Sequence, residues 1–146
     1  GQEIGRVGMT GAAIGSHLHF EVRFGSLDIT ATRNPFLYLK PLTGSDGNPL
    51  AVLAGQLIDS NGQYISSPQL VAEQIDLPDN STPRRYYIET YAPDASSDPA
   101  WQENFVLGDL QPGRYRISFV YDGQLIERFV SLSARKLTYL SLRMEN

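Results

Sequence analysis

An eight-residue run, HLHFEVRF from His17 to Phe24, alternates polar and apolar side chains without a break. Successive side chains of an extended chain point to opposite faces, so the run predicts a strand with one apolar and one polar face. The polar face would carry both histidines of the chain, His17 and His19. Two imidazoles at this spacing could share a metal ion or a reacting group. The apolar face would consist of Leu18, Phe20, Val22 and Phe24.

Composition excludes several classes of function. The 146 residues contain 12 Lys and Arg against 16 Asp and Glu, which gives a net charge of -4 and argues against a nucleic-acid partner. No apolar stretch approaches the roughly 20 residues of a membrane span, and no secretion leader is recognisable at the start. Cysteine is absent, so His, Asp and Glu are the remaining candidates for metal ligands.

Turn-forming residues divide the chain into three parts. Residues 1–40 are glycine-rich at first, with a predicted strand from Glu3 to Val7, and end in a short strand from Ile29 to Thr32 and a turn at Asn34-Pro35. Residues 41–49 combine Pro, Gly, Ser and Asp and are interpreted as a linker. Residues 50–146 form the third part.

This third part alternates short apolar runs with turn signals, and little helix is expected. The pattern predicts an all-β chain in which residues 50–146 form an antiparallel seven-stranded β-sandwich. The predicted strands are Ala51–Ile58, Tyr64–Gln74, Arg84–Tyr91, Trp101–Leu107, Arg114–Tyr121, Gln124–Leu132 and Leu137–Met144.

The stretch GQEIGRVGMTGAAIGSHLHFEVRF, followed by NPFLYL, resembles the final part of the lysostaphin or LytM-type zinc metalloendopeptidases. The resemblance covers roughly residues 1–39. It implies that residues 1–40 are the C-terminal piece of a peptidase catalytic domain, a partial β-sheet. It also implies zinc as the cofactor, His19 as a zinc ligand, and His17 as the general base or the group that stabilises the transition state.

In that family, zinc polarises the scissile carbonyl and activates a water molecule, while an imidazole handles the proton. The resemblance therefore implies hydrolysis of peptide bonds in bacterial cell-wall peptidoglycan by a secreted protein, with an extracellular or cell-envelope location. Ahead of His17 the family often has S-T-G-P, of which Ala13 to Ser16 keeps only the glycine. This change is expected to affect the fit of the substrate rather than metal binding.

The family's remaining ligands, a His and an Asp, and a further active-site His precede the G-Q-x-I-G run at which this sequence starts. Because a catalytic zinc usually has three protein ligands, we expect the chain alone to be inactive and the missing ligands to lie upstream. A carboxylate is not expected to substitute, since Glu21 is better placed to pair with Arg6 or Arg23. The apolar face of the His17 strand would lack a cover, which predicts self-association through the exposed 1–40 segment.

Residues 50–146 are similar, more loosely, to transthyretin-like or carboxypeptidase-regulatory-like sandwiches, on the segments LIDSNG (57–62) and FVLGDLQPGRYRI (105–117). This similarity implies an accessory module for positioning or binding. Four aromatic residues are candidates for a glycan- or peptide-binding surface, although a role in the core is expected for most of them: Tyr86, Tyr87, Tyr91 and Trp101. Two alternatives remain: a non-catalytic binding or regulatory envelope protein on a peptidase-like scaffold, and an adhesion-like sandwich that functions by itself.

Overall fold

Nine strands are defined in the computed structural model, which describes residues 2–3, 6–9, 14–66, 69–78, 81–91 and 96–145. The strands are β1 (Val22–Arg23), β2 (Thr32–Arg33), β3 (Ala51–Ile58), β4 (Leu70–Gln74), β5 (Arg85–Ile88), β6 (Phe105–Leu110), β7 (Gly113–Tyr121), β8 (Gln124–Leu132) and β9 (Leu137–Arg143). The only helical elements among these residues are two 3₁₀ turns, Ile29–Ala31 and Pro35–Leu37. The prediction of an all-β chain is therefore confirmed. None of the helical elements described is long and apolar enough to span a membrane.

The strands from β3 onwards form two sheets, with the orders β6-β3-β9 and β5-β4-β7-β8. All neighbours are antiparallel except β3 and β9, which run parallel, so the prediction of a wholly antiparallel sandwich is wrong for this pair. The reason lies in the crossing from β8 to the other sheet. In that turn the Arg135 amide donates to the carbonyl of Leu50, and the Val52 amide donates to the carbonyl of Lys136. These bonds hold the start of β9 beside the start of β3.

The two sheets bury a common core. One sheet contributes Leu53 and Leu57, and the other contributes Tyr115 and Ile117, all of which are fully buried. The alternation predicted along β7 is observed, because Tyr115, Ile117 and Phe119 point inwards while their neighbours are more exposed. Apolar burial of about 25 cal/mol per Å² is the main stabilising contribution of such a core.

Some strand bounds match the predictions and others do not. β3 and β8 have the predicted ends, whereas β6 begins at Phe105 and not at Trp101. The carboxylate of Asp98 accepts hydrogen bonds from the amides of Ala100 and Trp101 and so holds this stretch in a turn. The predicted strand Tyr64–Gln74 is regular only from Leu70 to Gln74, and Arg84–Tyr91 only from Arg85 to Ile88. Residues 67–68 lie outside the described part of the chain.

The N-terminal part contains less regular strand than predicted. The run His17–Phe24 is paired as a ladder only at Val22–Arg23, opposite Thr32–Arg33, and His17 makes a single bridge to Gly8. A strand is regular only where a second backbone pairs with it, and residues 18–21 have no such neighbour among the described residues. The prediction of a strand from Glu3 to Val7 falls partly on residues 4 and 5, which lie outside the described ones.

Side-chain caps explain the two 3₁₀ turns. The carboxylate of Asp28 accepts from the Thr30 amide, so the chain coils at Ile29–Ala31 before β2, where a continuous strand from Ile29 was predicted. The Asn34 side chain accepts from the Phe36 amide, and Pro35 occupies the first helical position, in agreement with the predicted turn.

The second 3₁₀ turn packs directly on the sandwich. A Cβ atom added to Gly108 of β6 would lie 2.3 Å from the Phe36 ring, so the missing side chain leaves the space that this ring fills. The Tyr38 hydroxyl donates to the buried Asp98 carboxylate. Across the predicted linker, the Leu50 amide donates to the carbonyl of Leu42. The end of the 1–40 segment is therefore in contact with the sandwich; the predicted domain boundary at 41–49 stays a prediction.

Glu103 carries a fully buried carboxyl group and lies in the connection between β5 and β6. Both of its carboxyl oxygens lie within hydrogen-bond distance of the Asp98 amide, at 3.3 and 3.1 Å. Burial raises the pKa of Glu103 above its ordinary value of 4.5, because removal from water disfavours the charged form. The folded chain therefore holds a proton at Glu103 more tightly than the unfolded chain does.

We expect Glu103→Gln to flatten the pH dependence of stability. A carboxyl group with a raised folded-state pKa contributes stability below pH 4.5 that is lost as the pH rises through the folded-state value. The glutamine oxygen can still accept from the Asp98 amide, but it does not ionise. Urea unfolding across this pH window measures the slope, with the exposed Glu89→Gln as the control. Equal slopes for the Glu103 variant and the unsubstituted chain would contradict the expectation.

Candidate functional site

His17 lies on the surface, with its ring oriented by the preceding loop. Its Nδ1 atom is 2.8 Å from the carbonyl oxygen of Gly15. A carbonyl only accepts, so Nδ1 carries the hydrogen, and in the neutral ring the lone pair is on Nε2. An imidazole held in this tautomer presents Nε2 as a proton acceptor, which is the state that the predicted role of general base requires.

His19 belongs to a chain of polar side chains along the same face. Its Nε2 atom is 2.6 Å from Oε1 of Glu21, and Oε2 of Glu21 accepts from Nε of Arg23. The pKa of Glu21 is lowered, first by the hydrogen bond from Arg23 and then by the one from His19. The expected pairing of Glu21 with Arg23 is confirmed, whereas Arg6 pairs with Glu3 instead.

The contact with Glu21 determines which nitrogen of His19 is available. A carboxylate only accepts, so Nε2 carries the hydrogen, and the lone pair of the neutral ring is on Nδ1. Histidines that bind metals usually donate their other ring N–H to a carboxylate or a carbonyl, which fixes the orientation and the tautomer of the ring. His19 with Glu21 has this arrangement, and the His19 side chain is 73% exposed. Its Nδ1 atom therefore fits one position of a zinc site.

The described residues do not complete that site. No group of three or more His, Asp or Glu side chains among them could hold a metal ion, and the whole sequence contains only two histidines. Since a catalytic zinc usually has three protein ligands, the donor set of these residues does not fit a zinc ion by itself. The tautomers of His17 and His19 are compatible with the roles that the resemblance implies, but no catalytic step can be assigned to these two residues alone.

The apolar face beside the histidines is uncovered. The exposed fractions are 76% for Leu18 and 54% each for Phe20 and Phe24. Val22 is half-buried, and the ring of Phe24 lies 5.3 Å from that of Tyr38. The expectation that this face lacks a cover is confirmed for three of its four residues. An apolar surface of this kind commonly marks an interface.

The four aromatic candidates of the sandwich do not form one surface. Tyr86 packs near the core residue Tyr115, with ring centroids 6.3 Å apart, and Trp101 stacks on Tyr139 at 6.2 Å. Tyr91 is partly buried, and only Tyr87 is largely exposed, at 63%. The interpretation that most of them cover or fill the core is in line with these positions.

In comparisons with known proteins, no family model matches this chain and no curated protein matches it significantly. The resemblance to zinc endopeptidases thus depends on the residues of the 1–39 stretch and on the arrangement of its two histidines.

Proposed function

We propose that this chain supplies His17 and His19 to a zinc-dependent endopeptidase that hydrolyses peptide bonds of bacterial peptidoglycan. Residues outside the printed sequence would supply the other metal ligands. His19 would bind the metal through Nδ1, and Nε2 of His17 would accept a proton during hydrolysis. The β-sandwich would position the enzyme or bind the cell wall, at an extracellular or envelope location.

The observation that carries the proposal is the hydrogen-bonded state of the two imidazoles. The Gly15 carbonyl, 2.8 Å from Nδ1 of His17, keeps the ring hydrogen on that nitrogen. The Glu21 carboxylate, 2.6 Å from Nε2 of His19, does the same for the second ring. One lone pair per ring remains for chemistry. The uncovered Leu18, Phe20 and Phe24 give further support, because a larger sheet or a second molecule would bury them. Self-association through the 1–40 segment is the corresponding proposal for this chain alone.

The test is metal analysis and peptide hydrolysis by the full-length protein that contains this chain. We expect His19→Ala to abolish bound zinc and activity. We expect His17→Ala to retain zinc while hydrolysis falls by about 10²–10⁴-fold, because a general base contributes about that much. Ser16→Ala, on the neighbouring exposed position, is the matched control and should retain both. Unchanged zinc in the His19 variant would exclude His19 as a ligand.

A second candidate is a non-catalytic protein, in which the peptidase-like part serves as a scaffold in a binding or regulatory envelope protein. The described residues hold no group of three metal ligands. If the full-length protein binds no zinc but retains specific binding to purified cell wall, the alternative replaces the enzyme.

A further inference from the structure

A cleft of about 740 Å³ lies between the edge strands of the two sheets, β8 and β9, beside the hairpin at Asp122. Its volume is within the range of about 300–1,000 Å³ that is common for small-ligand sites. The half-buried Tyr121 and Ile126 and the buried Met144 supply its apolar part. This cleft is formed by the sandwich alone and is independent of the histidines.

Arg128 projects from the core-facing side of β8. It is paired across the ladder with Ile117, which is fully buried, and directly opposed residues of an antiparallel pair share a face. The alternation along β8 would predict an apolar residue at this position. Arg128 is nevertheless exposed, because β8 is an edge strand and the opposite sheet does not cover it there.

The charged groups that line the cleft form no ion pairs in the part of the chain that is described. Arg128 donates to the carbonyl of its neighbour Glu127 at 2.8 Å, and Arg143 donates to the carbonyl of Ser60 at 3.4 Å. No salt bridge involves either arginine or the acidic residues of the cleft, Asp122 and Glu145. Two cations and two anions thus line the cleft together with apolar side chains, and none of the four forms an ion pair with another among the described residues.

We propose that this cleft binds short peptides that carry both a free carboxylate and a free amine. The guanidinium groups of Arg128 and Arg143 would bind the carboxylate, for which arginine offers paired donors. Asp122 and Glu145 would accept from the amine, and the apolar side chains of the cleft, Tyr121, Ile126 and Met144, would contact small aliphatic side chains. A ligand of this charge pattern matches all four groups, whereas an anion or a cation alone would leave two of them facing a like charge.

The competing explanation assigns Arg128 a protective role. An inward-pointing charge on an edge strand prevents other chains from adding to the sheet. That explanation predicts aggregation when the charge is removed and no peptide binding at all. The two explanations therefore differ in a measurable way.

In the experiment, the whole 146-residue chain is titrated with tetra-alanine. Binding is measured from the NMR chemical-shift changes of backbone and arginine N–H groups. We expect saturable shifts confined to residues 121–128 and 143–145. The C-terminal amide of the same peptide should bind the unsubstituted chain at least about tenfold more weakly, because it loses a charge-assisted bond. For the same reason, the Arg128→Gln and Arg143→Gln variants should each bind tetra-alanine at least about tenfold more weakly. The N-acetylated peptide should also bind more weakly. Arg114→Gln, at the far end of the neighbouring strand, is the matched control and should bind normally.

Absence of saturable shifts would overturn the proposal, as would equal binding of the free and the amidated peptide. If Arg128→Gln self-associates in sedimentation measurements and tetra-alanine does not bind the unsubstituted chain, the arginine protects the edge only. Retention of the native amide spectrum by the variants shows that a loss of binding is not a loss of folding.

Discussion

Replacement of Gly55 by alanine is expected to lower the free energy of unfolding by about 3 kcal/mol or more. Gly55 lies in the central strand β3, between β6 and β9. A Cβ atom at this position would be 2.1 Å from the carbonyl oxygen of Leu140 and 2.5 Å from the Phe105 ring. The ring belongs to a fully buried side chain and the oxygen to the neighbouring backbone, so neither can move without separating strands.

Urea unfolding followed by far-ultraviolet circular dichroism measures this effect. Gly15→Ala is the matched control, because no atom lies within 4 Å of a Cβ added there and its φ angle is not in the left-handed region. Alanine at such a site changes stability by less than about 1 kcal/mol, chiefly through the unfolded chain. An unchanged unfolding midpoint for Gly55→Ala would show that β3 and β9 are not packed as described.

Replacement of Asn104 by alanine is expected to cost about 3 kcal/mol, because it removes three hydrogen bonds, one of which satisfies the buried Leu57 amide. The buried Asn104 side chain accepts from the Leu57 amide at 2.7 Å. It also donates to the carbonyls of Leu57 and Ile65, at 3.2 and 3.3 Å. The side chain thus joins the end of β3 to the segment that follows it.

Hydrogen exchange provides a local measurement for the same substitution. The Leu57 amide should lose protection in Asn104→Ala beyond the loss caused by the lower global stability. Asn48→Ala is the matched control, since the Asn48 side chain donates to Asp46 in an exposed turn, and we expect a change within about 0.5 kcal/mol. Unaltered protection at Leu57 would contradict the role of Asn104.

Local signals in the sequence predict much of the sandwich. The ends of β3 and β8 follow from their apolar patterns, and the turn at Asn34-Pro35 follows from its capping side chain and its proline. These features depend on residues that are adjacent in the chain, where alternation and capping act directly.

Other features depend on residues far apart. The short β1 reflects the absence of paired backbone beside residues 18–21 within the described chain. The role of Asn104 could not be predicted either, because its partners Leu57 and Ile65 are 47 and 39 residues away. A polar residue before an apolar run is more often a turn residue than a buried connector.

In the candidate site, the sequence also predicts some features and misses others. It identifies His17 and His19 as the candidate pair and predicts a common polar face for them from strand alternation. Their tautomers depend on the contacts with Gly15 and Glu21, and the sequence offered Arg6, Arg23 or another surface charge as the partner of Glu21 without naming His19. These two contacts therefore determine that the lone pairs are on Nε2 of His17 and Nδ1 of His19.

The sequence by itself determined that the chain is all-β, where its longest strands lie, and that its two histidines are two residues apart. Tertiary structure alone decided the parallel pairing of β3 with β9, the packing of Phe36 on Gly108, and the cleft that exposes Arg128. The physical reason is the separation along the chain of the residues that interact. Alternation and capping act between neighbours in the chain, whereas strand direction, close approach and clefts depend on which distant backbones meet.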